Sequence, residues 1–197
     1  MKKTLFILFI LSVVPLSANA LPLQTITVNL LPEETVFKIG DIFSVDIVAD
    51  IPNDVLGWGL DFGFNASVIS QIGSPTIGPD WAAAFTPDGD QLAGLLIPTF
   101  PPTFPPAGIT GEIILLATLT FEASHAGSSE LFSGYTSTDL SEGFPLGFPF
   151  PSGSFANVDF NNVTVSVEPV PEPGTFILLS SGILGIFHIY NKRLFIK

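Results

Sequence analysis

Few side chains in this 197-residue chain are equipped for chemistry, and they fall into three groups. The first is carboxylates. Asp80, Asp88 and Asp90 lie in one loop, with Asp88-Gly89-Asp90 as a tight acidic turn. Oxygen ligands around a glycine bend suit calcium, so these three are the candidate calcium ligands. Their spacing completes neither an EF-hand nor a nonapeptide calcium repeat, and a solvated turn is the better account of them. The second group is the two histidines. His188 sits inside an apolar run, and His125 has no nucleophile motif to serve. No Gly-x-Ser-x-Gly, His-Glu-x-x-His or phosphate-loop pattern occurs. The third group is aromatic. Trp81 and Phe85, with the phenylalanines of two proline-rich runs, are candidates for a sugar- or protein-contacting platform. Trp58 instead shares its phase with Leu60, Phe62 and Phe64 and reads as core.

The absence of cysteine excludes thiol catalysis, iron–sulfur clusters and cysteine zinc sites within this chain. No catalytic constellation emerges, and a non-enzyme with no cofactor beyond calcium is expected. A glycosidase needs only two suitably spaced acids, and so many carboxylates offer many pairs. A small secreted polysaccharide hydrolase is therefore the alternative reading.

Charge is distributed unevenly. Lys2 and Lys3 open the chain, Lys192, Arg193 and Lys197 close it, and only Lys38 lies between residues 21 and 173. All eighteen acidic residues lie in that middle piece, whose formal charge is −17. Nucleic acid is excluded as a partner, because phosphate binding draws on Lys and Arg.

The two ends carry addresses. Met1-Lys2-Lys3, the apolar run Thr4 to Leu16 and an Ala18-x-Ala20 ending predict a signal peptide over 1–20, cleaved after Ala20. At the other end Val170-Pro171-Glu172-Pro173-Gly174 breaks the preceding structure. An uncharged segment over 174–190 follows, then the basic stop-transfer residues Lys192, Arg193 and Lys197. Seventeen helical residues span about 25 Å. That is short for a bilayer core of about 30 Å, a mismatch that snorkelling basic residues can cover. A C-terminal transmembrane helix over 174–190 is expected, with the basic end on the cytoplasmic side. The protein is then exported and membrane-held, and its destination is the cell surface or extracellular matrix.

Between the addresses the pattern is a period of two. Phe43, Val45, Ile47 and Ala49 alternate with Ser44, Asp46, Val48 and Asp50. Trp58, Leu60, Phe62 and Phe64 alternate with Gly57, Gly59, Asp61 and Gly63, and glycines there predict close approach by another segment or a bulge. Ile113, Leu115, Ala117, Leu119 and Phe121 share one face of a strand that starts covered and emerges toward Glu122. Further strands are expected at Thr25–Leu30, Thr35–Ile39, Val68–Ile72, Gln91–Ile97, Glu130–Ser133, Ser154–Phe160 and Val163–Val167. The proline-rich runs 98–106 and 144–151 cannot be central strands, since proline donates no ladder bond. Eight to ten short strands predict an all-β antiparallel sandwich of jelly-roll type over 21–168.

Two resemblances add to this. The tail, 169–197, resembles the PEP-CTERM sorting signal through Val170-Pro171-Glu172-Pro173, the segment Phe176 to Ile186 and the basic end. That resemblance implies recognition of Pro171, Glu172 and Pro173 by exosortase, a membrane transpeptidase or protease of Gram-negative bacteria that make exopolysaccharide. The middle resembles cohesin-like β-sandwiches, which in turn resemble some carbohydrate-binding modules. It does so through Gly40-Asp41-Ile42-Phe43-Ser44-Val45-Asp46-Ile47, through Trp58 to Ile69 and through Gly111 to Ala123. This implies a binding or structural module with exopolysaccharide or another surface protein as partner. A plain tail-anchored surface protein that is never processed is the alternative for the tail.

Overall fold

The computed structural model describes residues 23–84, 92–97, 107–136, 139, 141–147, 153–170, 174 and 179–184. The expected signal peptide, with Ala18 and Ala20, lies outside them. Twelve strands are described: β1 (Ile26–Pro32), β2 (Val36–Lys38), β3 (Ile42–Val55), β4 (Gly57–Gly59), β5 (Asp61–Gly63), β6 (Ile69–Ile77), β7 (Trp81–Ala83), β8 (Ala93–Leu96), β9 (Ile109–Ala123), β10 (Gly127–Gly134), β11 (Val158–Asn161) and β12 (Val163–Glu168).

They form a sandwich. A five-stranded sheet in the order β11-β1-β3-β9-β6 lies against a four-stranded sheet, β2-β12-β10-β5, and a three-stranded sheet, β4-β8-β7, sits beside them. Pairing is not wholly antiparallel. β1 runs parallel to β11 and β2 parallel to β12, so the first two strands each clamp one of the last two. Closing both ends of the chain into the sheets in this way gives the terminal strands ladder partners that a meander would leave at an edge.

One apolar core joins the sheets, built from the alternation of β3 and β9. Phe37 of β2 stacks on Phe43 of β3 at 3.9 Å, and Phe43 on Phe121 of β9 at 5.7 Å. Phe62 and Phe64 reach the far side of Phe121 at 6.0 and 5.1 Å. This file of rings crosses from one sheet to the other. The long edge strand β6 is interrupted, because Gly73 to Pro75 fall out of register with β9, which blunts an edge that another chain could otherwise extend.

Three expectations need correction. The run from Trp58 to Phe64 is not one strand. It breaks at Leu60, whose amide donates to Leu92 O instead of continuing a ladder, so β4 and β5 belong to different sheets. Close approach does occur at its glycines: a Cβ on Gly59 would run into the Ser141 carbonyl oxygen. The phase of β9 also differs. Ala117 faces Ile47 while Leu115 faces Val48, so Leu116 is an extra residue and both Leu116 and Ala117 are buried. That bulge turns the preceding alternation over. A second irregularity, where Ala49 faces Ile114 and Ile51 faces Gly111, encloses Ile113, which is 68% exposed rather than covered, and the strand goes from open to buried toward its end. Third, β7 was not expected as a strand. The expected membrane helix falls mostly outside the described residues. Of that segment 179–184 is helical, and among the described residues no helix is long and apolar enough to cross a membrane.

Candidate functional site

The chain leaves the sandwich at Glu168, the last residue of β12, and Pro169 and Val170 follow exposed to solvent. Pro171, Glu172 and Pro173 lie outside the described residues, as do Lys192, Arg193 and Lys197. Pro171 thus stands three residues beyond a strand held between β2 and β10.

The exit is flanked by a turn that sequence reasoning passed over. Lys38 to Ile42 joins β2 to β3, and all five residues are exposed. The Lys38 amide donates to Asp41 Oδ2 at 2.7 Å, and the Asp41 amide to Lys38 O at 3.0 Å. Gly40, at φ +93°, holds a conformation that a Cβ would strain. Its amide donates to Ala123 O, the Ala123 amide donates to Asp41 O, and the Ile39 amide donates to Glu168 O. Phe37 and Phe43 stack directly beneath. The turn is therefore tied to β9, to β12 and to the core, yet it presents Ile39 and Ile42 to solvent, 39% and 66% exposed. Gly40-Asp41 was the one available signal for the turn. Nothing in the pattern shows that both isoleucines face outward.

At the opposite end of the sandwich is an open groove of about 840 Å³, within the range of small-ligand sites. Leu23–Thr25, Asp50–Pro52 and Thr110–Ile113 line it. Its wall holds a strained residue. Ile113 sits at φ +55°, a region a β-branched side chain rarely enters. Its amide donates to Asp50 Oδ1 at 2.8 Å, which secures the conformation. Asp50 stands on the outward phase of the β3 alternation. The pairing with Ile113 is legible only once the bulge in β9 is known.

A smaller cavity of about 260 Å³ is bordered by Tyr135, Asp139, Glu142 and Phe155. Glu142 is 3% exposed and accepts from the Thr136 amide through Oε2. Asp139 accepts from the Ser141 amide at 2.7 Å. These bonds stabilise the carboxylates of a local loop, since burying a charge requires such partners.

The expected contact residues separate. Trp81 is buried, 4% exposed, with its ring edge-on to Trp58 at 6.5 Å. Neither indole N–H reaches an acceptor, so both rings act as apolar filler under the three-stranded sheet rather than as an open platform. Phe144, from the second proline-rich run, is wholly buried as well. Burial reclaims these rings, because a large aromatic surface is more stable inside. Phe85, Asp88 and Asp90 lie outside the described residues, and Asp80 is exposed.

Comparison with known proteins addresses the two parts separately. Residues 169–193 match the PEP-CTERM protein-sorting motif. The sandwich superposes on a chain of a type I cohesin–dockerin complex from Clostridium thermocellum with a TM-score of 0.52, covering 77% of this chain and 99% of that one at 12% identity. The sandwich has a cohesin-like fold. A non-cellulosomal cohesin from the hyperthermophilic archaeon Archaeoglobus fulgidus gives a TM-score of 0.50, covering 74% of this chain and 92% of that one at 14% identity. No curated protein matches the sequence. At such identities the cohesin-like likeness establishes the fold, and the PEP-CTERM motif identifies the tail.

Proposed function

We propose that this chain is an exported, non-catalytic surface or matrix protein. The segment 174–190 holds it in the membrane, exosortase reads Pro171-Glu172-Pro173, and the cohesin-like sandwich serves as a binding or structural module for exopolysaccharide or another surface protein. The observation that carries this reading is the PEP-CTERM motif at 169–193, beginning one residue after the last strand. A signal peptide over 1–20 delivers the chain to that side of the membrane. The acidic, cysteine-free body suits an exterior in which it must stay soluble without disulfides. The groove at the far end is a concave surface of small-ligand size and a natural place for a ligand.

The test replaces the motif in the whole chain. In exosortase-bearing cells the triple variant P171A/E172A/P173A is expected to accumulate at full length in the membrane fraction, while the parent chain is shortened and reaches the surface. Identical size and distribution of the two would sink the sorting reading. For the module, the parent chain is expected to stay on washed cells that make exopolysaccharide and to be lost from cells that do not. Equal retention removes the polymer as partner.

A further inference from the structure

We propose that the Lys38–Ile42 turn is a foot that rests on the phospholipid surface, standing the sandwich on end with the Asp50–Ile113 groove directed away from the membrane. This rests on the reading that residues 174–190 hold the chain in the bilayer.

Chain length keeps the base of the sandwich near the membrane. Five residues, 169–173, separate Glu168 from the start of the apolar segment, and three of them are proline. Fully extended they reach no more than about 18 Å. The end of β12 therefore stays close to the lipid. The Ile39 amide is bonded to Glu168 O, so the turn shares that position.

The turn's own features match the role. Its backbone is held by five hydrogen bonds to itself, β9 and β12. A rigid surface turn that exposes two isoleucines does not help the core, whereas aliphatic tips beside a lysine suit the boundary between headgroups and acyl chains. Lys38 is the one cation between residues 21 and 173. Glu33, Glu34, Asp41, Glu122 and Glu168 share this end, so attraction of net charge is not the driving term; Ile39 and Ile42 are. The groove lies at the other end of β3: Pro52 is ten residues beyond Ile42, about 33 Å at about 3.3 Å per residue. A body standing upright on that turn therefore carries the groove about 33 Å from the lipid, at about 3.3 Å per residue.

The chain has no cysteine, so single-cysteine variants of the whole mature chain accept one probe each. I39C, I42C and T110C, labelled with an environment-sensitive fluorophore, are reconstituted into vesicles of phosphatidylethanolamine with a minority of phosphatidylglycerol. Thr110 is an exposed position on the groove wall. Unchanged circular dichroism of each variant confirms that it is folded. The expected result is flotation with the vesicles, a blue shift and quenching by nitroxide lipid at 39 and 42, and neither at 110. Flotation with no difference among the three probes overturns the foot and leaves the tail reading intact, as does quenching at 110, which means a body lying on its side. Protection at 42 only when the processing enzyme is added also overturns it, and assigns the turn to a protein contact. Failure to float removes the membrane-held tail, and the foot with it.

Discussion

At the scale of single residues, the structure divides those read correctly from their neighbours in sequence from those whose setting is tertiary. Phe121 belongs to the first kind. Its place in the alternation of β9 predicts burial, and it touches Phe43, Phe62 and Phe64. Phe121→Ala is expected to cost about 3–5 kcal/mol in chemical denaturation, the range for deleting a buried ring. A loss under about 1 kcal/mol would mean the rings do not bear on one another as described. Ile113 is of the second kind. Its left-handed backbone costs on the order of 1–2 kcal/mol, and its side chain is mostly in water. Ile113→Gly is therefore expected to stabilise the protein by about 1 kcal/mol, seen as a higher melting temperature. A fall in stability would show that the isoleucine side chain contributes packing that its exposure does not reveal. Trp81 was ambiguous in sequence because a tryptophan beside an aspartate in a loop looks the same whether its ring turns in or out.

At the scale of elements, period-two patterning located most of the strands, and failed where it was interrupted. β3 and β12 follow their alternation closely. β9 does not, because an inserted residue at Leu116 exchanges the faces of the residues just before it, a second irregularity follows between Ile114 and Gly111, and a bulge leaves no mark in composition. The split between β4 and β5 was equally hidden: four aromatic and aliphatic residues keep perfect phase across a point where the backbone changes sheets. The glycines were the better guide. Gly59 lies against the Ser141 carbonyl, and the two backbones exchange bonds between Gly59 and Gly143. Gly59→Ala is expected to destabilise by about 1–3 kcal/mol, the range for overpacking, with hydrogen exchange quickened in β4 and β8 before the five-stranded sheet. Exchange that quickens uniformly, or not at all, would contradict the account of β4 as a separately held element.

At the scale of the whole molecule, charge and connectivity decide most. A body carrying −17 with one lysine repels itself, and salt screens that repulsion. The melting temperature of the mature chain is expected to rise as ionic strength goes from about 10 mM to about 100 mM, while the Debye length falls from about 30 Å to about 10 Å. A flat response would mean that the carboxylates are spaced too widely to matter. Connectivity sets the groove and the sorting sequence at opposite ends of the sandwich. The groove sits where β1 begins, and the sorting sequence leaves where β12 ends, next to the Lys38–Ile42 turn. The order of sandwich and sorting tail was legible because each has its own composition, and the expected signal peptide lies outside the described residues. What the groove takes was not legible, since its wall is assembled from three segments more than twenty residues apart and from a bulge in β9.

The central claim is that the tail is a processed sorting signal and not a plain anchor. Intact mass of the protein recovered from cells, with and without exosortase, tests it most directly. The account predicts a shortened species lacking Lys192, Arg193 and Lys197 when the enzyme is present, and a chain ending at Lys197 when it is absent. A chain ending at Lys197 in both would contradict it.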